Sequence, residues 1–97
     1  MNEYKNKLSE FITRAKNLQS ALTVATRSEV IYADTVALTE DMMKSLENCS
    51  DEMFYPAVYN AAATIRSAPE KCPVAQLSEA LGDAAEEMQQ MLEYVGD

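Results

Sequence analysis

The chain has 97 residues, which suits a single domain over residues 1–97 whose core needs no disulfide or metal. Hydrophobic residues make up 47% of it, with only two glycines and three prolines. This composition excludes a disordered polar segment and disfavours a β-sandwich, which needs many turns. The net charge of −8 disfavours direct binding to nucleic acid or to an anionic membrane surface, so we expect a protein partner with a basic surface or groove.

The first predicted helix covers residues 2–25, where apolar residues recur at three- and four-residue steps. Its apolar face consists of Tyr4, Leu8, Phe11, Ile12, Ala15, Leu18 and Leu22. The stretch Thr26-Arg27-Ser28-Glu29 fits a capping box, in which a hydroxyl and a carboxylate satisfy the exposed amides of a new helix. We therefore predict a boundary there. The alternative is one continuous helix over 2–48, which would form a coiled-coil arm and favour an extended dimer.

The second and third predicted helices cover residues 28–48 and 56–67. The second presents Ile31, Leu38, Met42, Leu46 and Cys49, widened by Val30, Ala33 and Ala37. Pro56 suits the first turn of the third helix, and we expect the preceding Tyr55 to lie outside it. The face of the third helix consists of Val58, Ala61, Ala62 and Ile65.

The fourth predicted helix covers residues 73–95 and begins at Pro73, after a break that contains two prolines. Gly82 within it predicts a close helix crossing, and Gly96 fits a C-terminal cap. Its apolar stripe is Val74, Leu77, Leu81, Ala84, Ala85, Met88, Met91, Leu92 and Val95. Together these patterns predict an all-α fold, a compact antiparallel bundle of about four helices without a sheet, in which the first and fourth helices are adjacent.

The cellular location is predicted from what the chain lacks. Its first residues have no apolar signal-peptide core, and no apolar run approaches the ~18 residues of a membrane span, so we expect a cytoplasmic protein. Cys49 and Cys72 are then expected to be reduced, although a bridge between them is left open.

Catalytic chemistry is limited by the absence of histidine, which excludes histidine-based acid–base catalysis, Ser-His and Cys-His nucleophile pairs and histidine-containing zinc sites. The two glycines are isolated, so there is no phosphate-binding loop. We expect no enzymatic activity, no cofactor and no metal. The remaining alternative is a helical magnesium-dependent nucleotide pyrophosphohydrolase that uses Glu79, Asp83 and Glu86, but no second helix supplies a matching carboxylate cluster.

Carboxylates on the fourth helix form the first candidate partner-binding surface: Glu79, Asp83, Glu86, Glu87 and Glu93. At helical spacing they can imitate the charges of a phosphate backbone, joined by Glu40, Asp41, Glu47, Asp51 and Glu52. The alternative is a face that only keeps the helix hydrated.

An aromatic turn forms the second candidate surface: Met53, Phe54, Tyr55 and Tyr59. Tyr, Met and Phe are enriched at the centres of interfaces. The alternative is that Met53 and Phe54 close the end of the bundle while the two tyrosines are half-exposed. Met42, Met43, Met88 and Met91 are read as core residues rather than as an adaptable surface.

These features predict a non-enzymatic inhibitor or adaptor that occludes a site on a larger protein. The form we expect is a phage or mobile-element antagonist of a host nucleic-acid-handling system, of the anti-CRISPR or anti-restriction type. The main alternative is a homo-oligomeric assembly protein, with a homodimer as its simplest form.

Overall fold

The computed structural model describes residues 2–48 and 54–95, with side chains described for 5–47 and 56–94. Within these ranges it contains four α-helices and no strand: α1 (Asn2–Leu22), α2 (Glu29–Asn48), α3 (Phe54–Arg66) and α4 (Val74–Val95). Successive helices run antiparallel, and the four form a closed ring in which α1 and α3 each pack against both α2 and α4. The predicted bundle is confirmed, and α1 and α4 share its most extensive interface.

Two helices, rather than one continuous helix, cover residues 2–48. α1 ends at Leu22, where the amides of Thr23 and Val24 bond to carbonyls three residues back and tighten the last turn. The radius of gyration is 13.0 Å, close to the ~13 Å expected of a compact domain of about 100 residues. The alternative of one continuous helix that forms a coiled-coil arm is therefore wrong.

Ser28 connects the α1–α2 loop to the α3–α4 loop. It is the residue that directly precedes α2, so the predicted capping box, which starts at Thr26, is out of register. The carbonyl of Ser28 accepts the amides of Ile31 and Tyr32, both at 3.0 Å. Its buried hydroxyl donates to the carbonyl of Cys72, so one hydrogen bond joins the two loops at the same end of the bundle.

The core contains side chains from all four helices. Its largest fully buried members are Leu8, Phe11, Leu22, Leu38, Met42, Val58, Leu77, Leu81 and Met88. Met43 and Met91 pack against this core while remaining half-exposed. The four residues predicted for the face of α3 are all buried, as are the central residues of the stripe on α4.

Ile31, Leu38, Met42 and Leu46 are buried on α2 as predicted, but the residues that widen this face differ from the prediction. Val30, Ala33 and Ala37 are exposed, whereas Thr35 and Thr39 are buried. The threonine hydroxyls donate to the carbonyls four residues earlier, with Thr35 bonding to Ile31 and Thr39 to Thr35, both at 3.1 Å. Because each hydroxyl is satisfied within its own helix, threonine can occupy a core position without an unpaired polar group.

The starts of α3 and α4 differ slightly from the predicted positions. α3 begins at Phe54, so Tyr55 is helical and Pro56 is the third residue of the helix. Proline is accommodated there because amides of the first turn have no partner within the helix. α4 begins at Val74, and Pro73 precedes it with a carbonyl that accepts the amides of Gln76 and Leu77.

Gly82 lies at the α1–α4 interface, where α4 meets the side chain of Gln19. A Cβ atom at position 82 would lie 2.6 Å from Nε2 of Gln19. That nitrogen donates a 3.0 Å hydrogen bond to the carbonyl of Ser78, one turn earlier on α4. The space beside Gly82 is therefore occupied by the end of a side chain of α1, and the close helix crossing stays a prediction.

Several expectations fall on residues that lie outside the described part of the chain. These are the thiol of Cys49, the cap at Gly96 and the side chains of Tyr4 and Val95. Cys72 is a free cysteine and is only 5% exposed. Within residues 2–48 and 54–95, none of the helices combines the length and the apolarity that a membrane crossing requires.

Candidate partner-binding surface

The five predicted carboxylates of α4 are all exposed to solvent: Glu79, Asp83, Glu86, Glu87 and Glu93. Their spacing places them on one side of the helix, opposite the stripe that packs against α1 and α3. α4 contains no lysine or arginine. Among the described residues none of the five forms an ion pair. We call this surface the α4 acidic face.

The ion pairs found among the described residues lie on α1, on α2 and in the loop between them. Arg14 of α1 donates to Asp41 of α2 over 2.8 Å, and Lys7 lies 3.7 Å from Glu10 on its own helix. Arg27 lies 3.3 Å from Glu29 at the start of α2. The α1–α4 interface is therefore held mainly by buried apolar side chains.

The carboxylates of α2 do not extend the α4 acidic face. α2 and α4 occupy opposite corners of the ring, with α1 and α3 between them, so their outward faces are turned away from each other. Glu40 and Glu47 are exposed on α2, and Asp41 there is paired with Arg14. Asp51 and Glu52 lie outside the described residues.

The aromatic segment is partly helical rather than a turn. Phe54 and Tyr55 form the start of α3, although their side chains lie outside the described ones, as does the whole of Met53. Tyr59 follows in the second turn of α3 and is 58% exposed. Of this candidate surface, the structure thus describes one side chain, and that side chain faces solvent.

A groove opens where the start of α3 lies beside the end of α4. Its volume is about 250 Å³, and it is lined by Pro56, Ala57 and Asn60 of α3 and by Glu87, Gln90, Met91 and Tyr94 of α4. The short side chains of Pro56 and Ala57 line its α3 side, and longer side chains line its α4 side. We call it the α3–α4 groove.

The groove brings together one predicted site residue and several that the sequence reasoning missed. Glu87 belongs both to the α4 acidic face and to the groove. Asn60, Gln90 and Tyr94 were not predicted, although Glu87, Gln90 and Tyr94 recur at helical spacing along one edge of α4. Gln90 and Tyr94 lie on the same solvent-facing side of α4 as the carboxylates, so the sequence pattern does not distinguish them from other exposed residues.

Metal binding depends on the placement of acidic and sulfur-containing side chains. No group of three or more such side chains in the described part of the chain is arranged to hold a metal ion. Glu79, Asp83 and Glu86 are instead exposed along α4, and a hard divalent cation needs several oxygens that converge on one point.

Comparisons with protein-family models, with curated proteins and with solved structures find no match to this chain. The α4 acidic face and the α3–α4 groove are the candidate surfaces that the geometry offers.

Proposed function

We propose that the protein is a non-enzymatic binding module that occludes a basic groove of a larger protein with the α4 acidic face. The partner is a host nucleic-acid-handling protein, and the module acts as an inhibitor of the kind that phages and mobile elements encode. The observation that carries the proposal is a row of five exposed carboxylates on one helix, without an ion pair among the described residues.

The charge density of this row suits the proposed partner. Residues 79–93 span about 21 Å at ~1.5 Å per residue, which gives about one carboxylate per 4 to 5 Å. A strand of B-DNA carries one phosphate per ~3.4 Å along the axis. A groove that binds a nucleic-acid strand therefore meets a comparable line of negative charge on α4.

The packing of α4 against its neighbouring helices also suits a binding role. The opposite side of α4 is packed against α1 and α3 through Leu77, Leu81 and Met88, which are all fully buried. The carboxylates therefore project from a helix that is already ordered, and binding does not have to order its backbone.

Charge reversal on α4, with a matched reversal on α2, tests the proposal. The α4 variant carries lysine at Glu79, Asp83 and Glu86, and the α2 variant carries lysine at three exposed positions, Asp34, Glu40 and Glu47. Each reversal adds two charge units, so both variants change the net charge from −8 to −2. Tagged wild type and both variants are used to capture proteins from host lysate, which are identified by mass spectrometry.

We expect the wild type and the α2 variant to capture the same nucleic-acid-binding protein, and the α4 variant to lose it. Duplex DNA should release the partner because it competes for the same basic groove. High salt should release it because salt screens the electrostatic contacts. Equal capture by all three proteins, or equal loss from both variants, would show that the α4 acidic face is not the binding surface.

A second candidate function, homo-oligomeric assembly, is favoured by the exposed apolar residues of α2. Val30 is 65% exposed and Val36 is 36% exposed, and Ala33 and Ala37 lie exposed on the same helix. Analytical ultracentrifugation over a range of protein concentrations tests this alternative. A defined oligomer that becomes monomeric in a Val30→Glu variant would support assembly through α2.

A further inference from the structure

We infer that the α3–α4 groove binds one arginine side chain of the protein partner. The arginine site rests on the proposed function and deepens it, since it names the side chain that anchors a basic partner beside the α4 acidic face. The volume of about 250 Å³ is below the ~300–1,000 Å³ of typical small-molecule sites, so a single long side chain is a suitable occupant.

The surfaces of the groove match a side chain with an apolar stem and a cationic end. Ala57 is buried and Met91 is half-buried, so they provide the apolar part of the groove, against which a methylene stem can pack. Glu87 provides a carboxylate that has no ion pair among the described residues. The side-chain amides of Asn60 and Gln90 add oxygens that accept N–H donors.

Arginine fits this groove better than lysine because of Tyr94. This tyrosine is 70% exposed and lies about 10 Å beyond Glu87 along α4, two turns later. A guanidinium group is planar, stacks on aromatic rings and donates several hydrogen bonds in fixed directions. An ammonium group is a compact and strongly hydrated charge. It therefore gains less binding free energy from contact with an aromatic ring and with surrounding amide oxygens.

An NMR titration of the full chain tests the arginine site without the partner. The probe is N-acetyl-arginine amide, compared with N-acetyl-lysine amide and with the neutral analogue N-acetyl-citrulline amide. We expect the arginine probe to shift the side-chain amide signals of Asn60 and Gln90 and the methyl signal of Met91 in a saturable way. The other two probes should bind more weakly.

Two matched variants separate the groove from the general acidity of α4. Glu87→Gln should weaken binding of the arginine probe about threefold, the effect of removing an exposed charge pair. Glu79→Gln makes the same change outside the groove and should leave affinity unchanged. Equal effects of the two variants, equal binding of the lysine probe, or no shift at the groove would overturn the assignment.

A second copy of the chain is the competing occupant of the groove. If the groove signals of the protein alone shift with its concentration, the groove is covered by self-association and the arginine site is wrong. Loss of partner capture by the α4 variant would still support the proposed function in that case. Conversely, saturable binding of the arginine probe would stand even if charge reversal left capture unchanged, so the two proposals fail separately.

Discussion

The contact between Gly82 and Gln19 allows a quantitative test of how α1 and α4 fit together. A Cβ atom at position 82 would lie 2.6 Å from Nε2 of Gln19, so Gly82→Ala must displace that amide and break its bond to Ser78. The lost hydrogen bond costs about 0.5–1.5 kcal/mol. Replacing glycine by alanine inside a helix contributes about 1 kcal/mol in the opposite direction. The single variant should therefore change the free energy of unfolding by less than ~0.5 kcal/mol.

The same substitution should behave differently in a Gln19→Ala background. There the amide is already absent, so alanine at position 82 should stabilise the protein by the full ~1 kcal/mol. The difference between the two backgrounds is a coupling energy of about 1 kcal/mol.

Urea unfolding of the wild type, both single variants and the double variant measures this coupling energy. In thermal unfolding, 1 kcal/mol corresponds to a change of about 4–8 °C in Tm for a domain of this size. A coupling energy below ~0.3 kcal/mol would show that Gln19 moves aside without losing its hydrogen bond, and that Gly82 is not required by this contact.

Two further predictions concern buried hydroxyl groups. Ser28→Ala removes the donor to the buried carbonyl of Cys72 and should destabilise the protein by about 1–3 kcal/mol, whereas Ser9→Ala on the exposed side of α1 should change stability by less than ~0.5 kcal/mol. Thr35→Val should lower the free energy of unfolding by less than ~1 kcal/mol. The carbonyl of Ile31 keeps its helical amide partner, and the new methyl group fills the space of the hydroxyl. Urea unfolding checks both, and a larger cost for Thr35→Val than for Ser28→Ala would contradict this account.

The apolar faces of the helices were largely predictable because a helix that packs on one side repeats its buried residues every three or four positions. On α3 this rule identifies Val58, Ala61, Ala62 and Ile65, all of which are buried. The rule was less successful on α2, because it counts a threonine as polar. Thr35 continues the stripe from Ile31 to Leu38, but its hydroxyl is satisfied within the helix, and only the packed structure distinguishes it from an exposed threonine.

The candidate surfaces were predictable to different degrees. The carboxylates of α4 were predictable as solvent-facing because they lie opposite the apolar stripe. Each of them is exposed in the structure. The sequence could not show whether the carboxylates of α2 and α4 form one continuous acidic surface, because that depends on which helices are neighbours. The ring order places α2 and α4 at opposite corners and separates the two sets.

The sequence by itself therefore determined the helical class of this protein, the residues that face its core along most of each helix, and the acidic side of α4. The tertiary structure decided the ring order of the helices, the hydrogen bond between Ser28 and Cys72 and the α3–α4 groove. The physical reason is that periodicity reports only whether a side chain faces the core or solvent. Which side chains of two helices line the same groove, such as Ala57 and Met91, depends on loop geometry and on side-chain size at positions far apart in the chain.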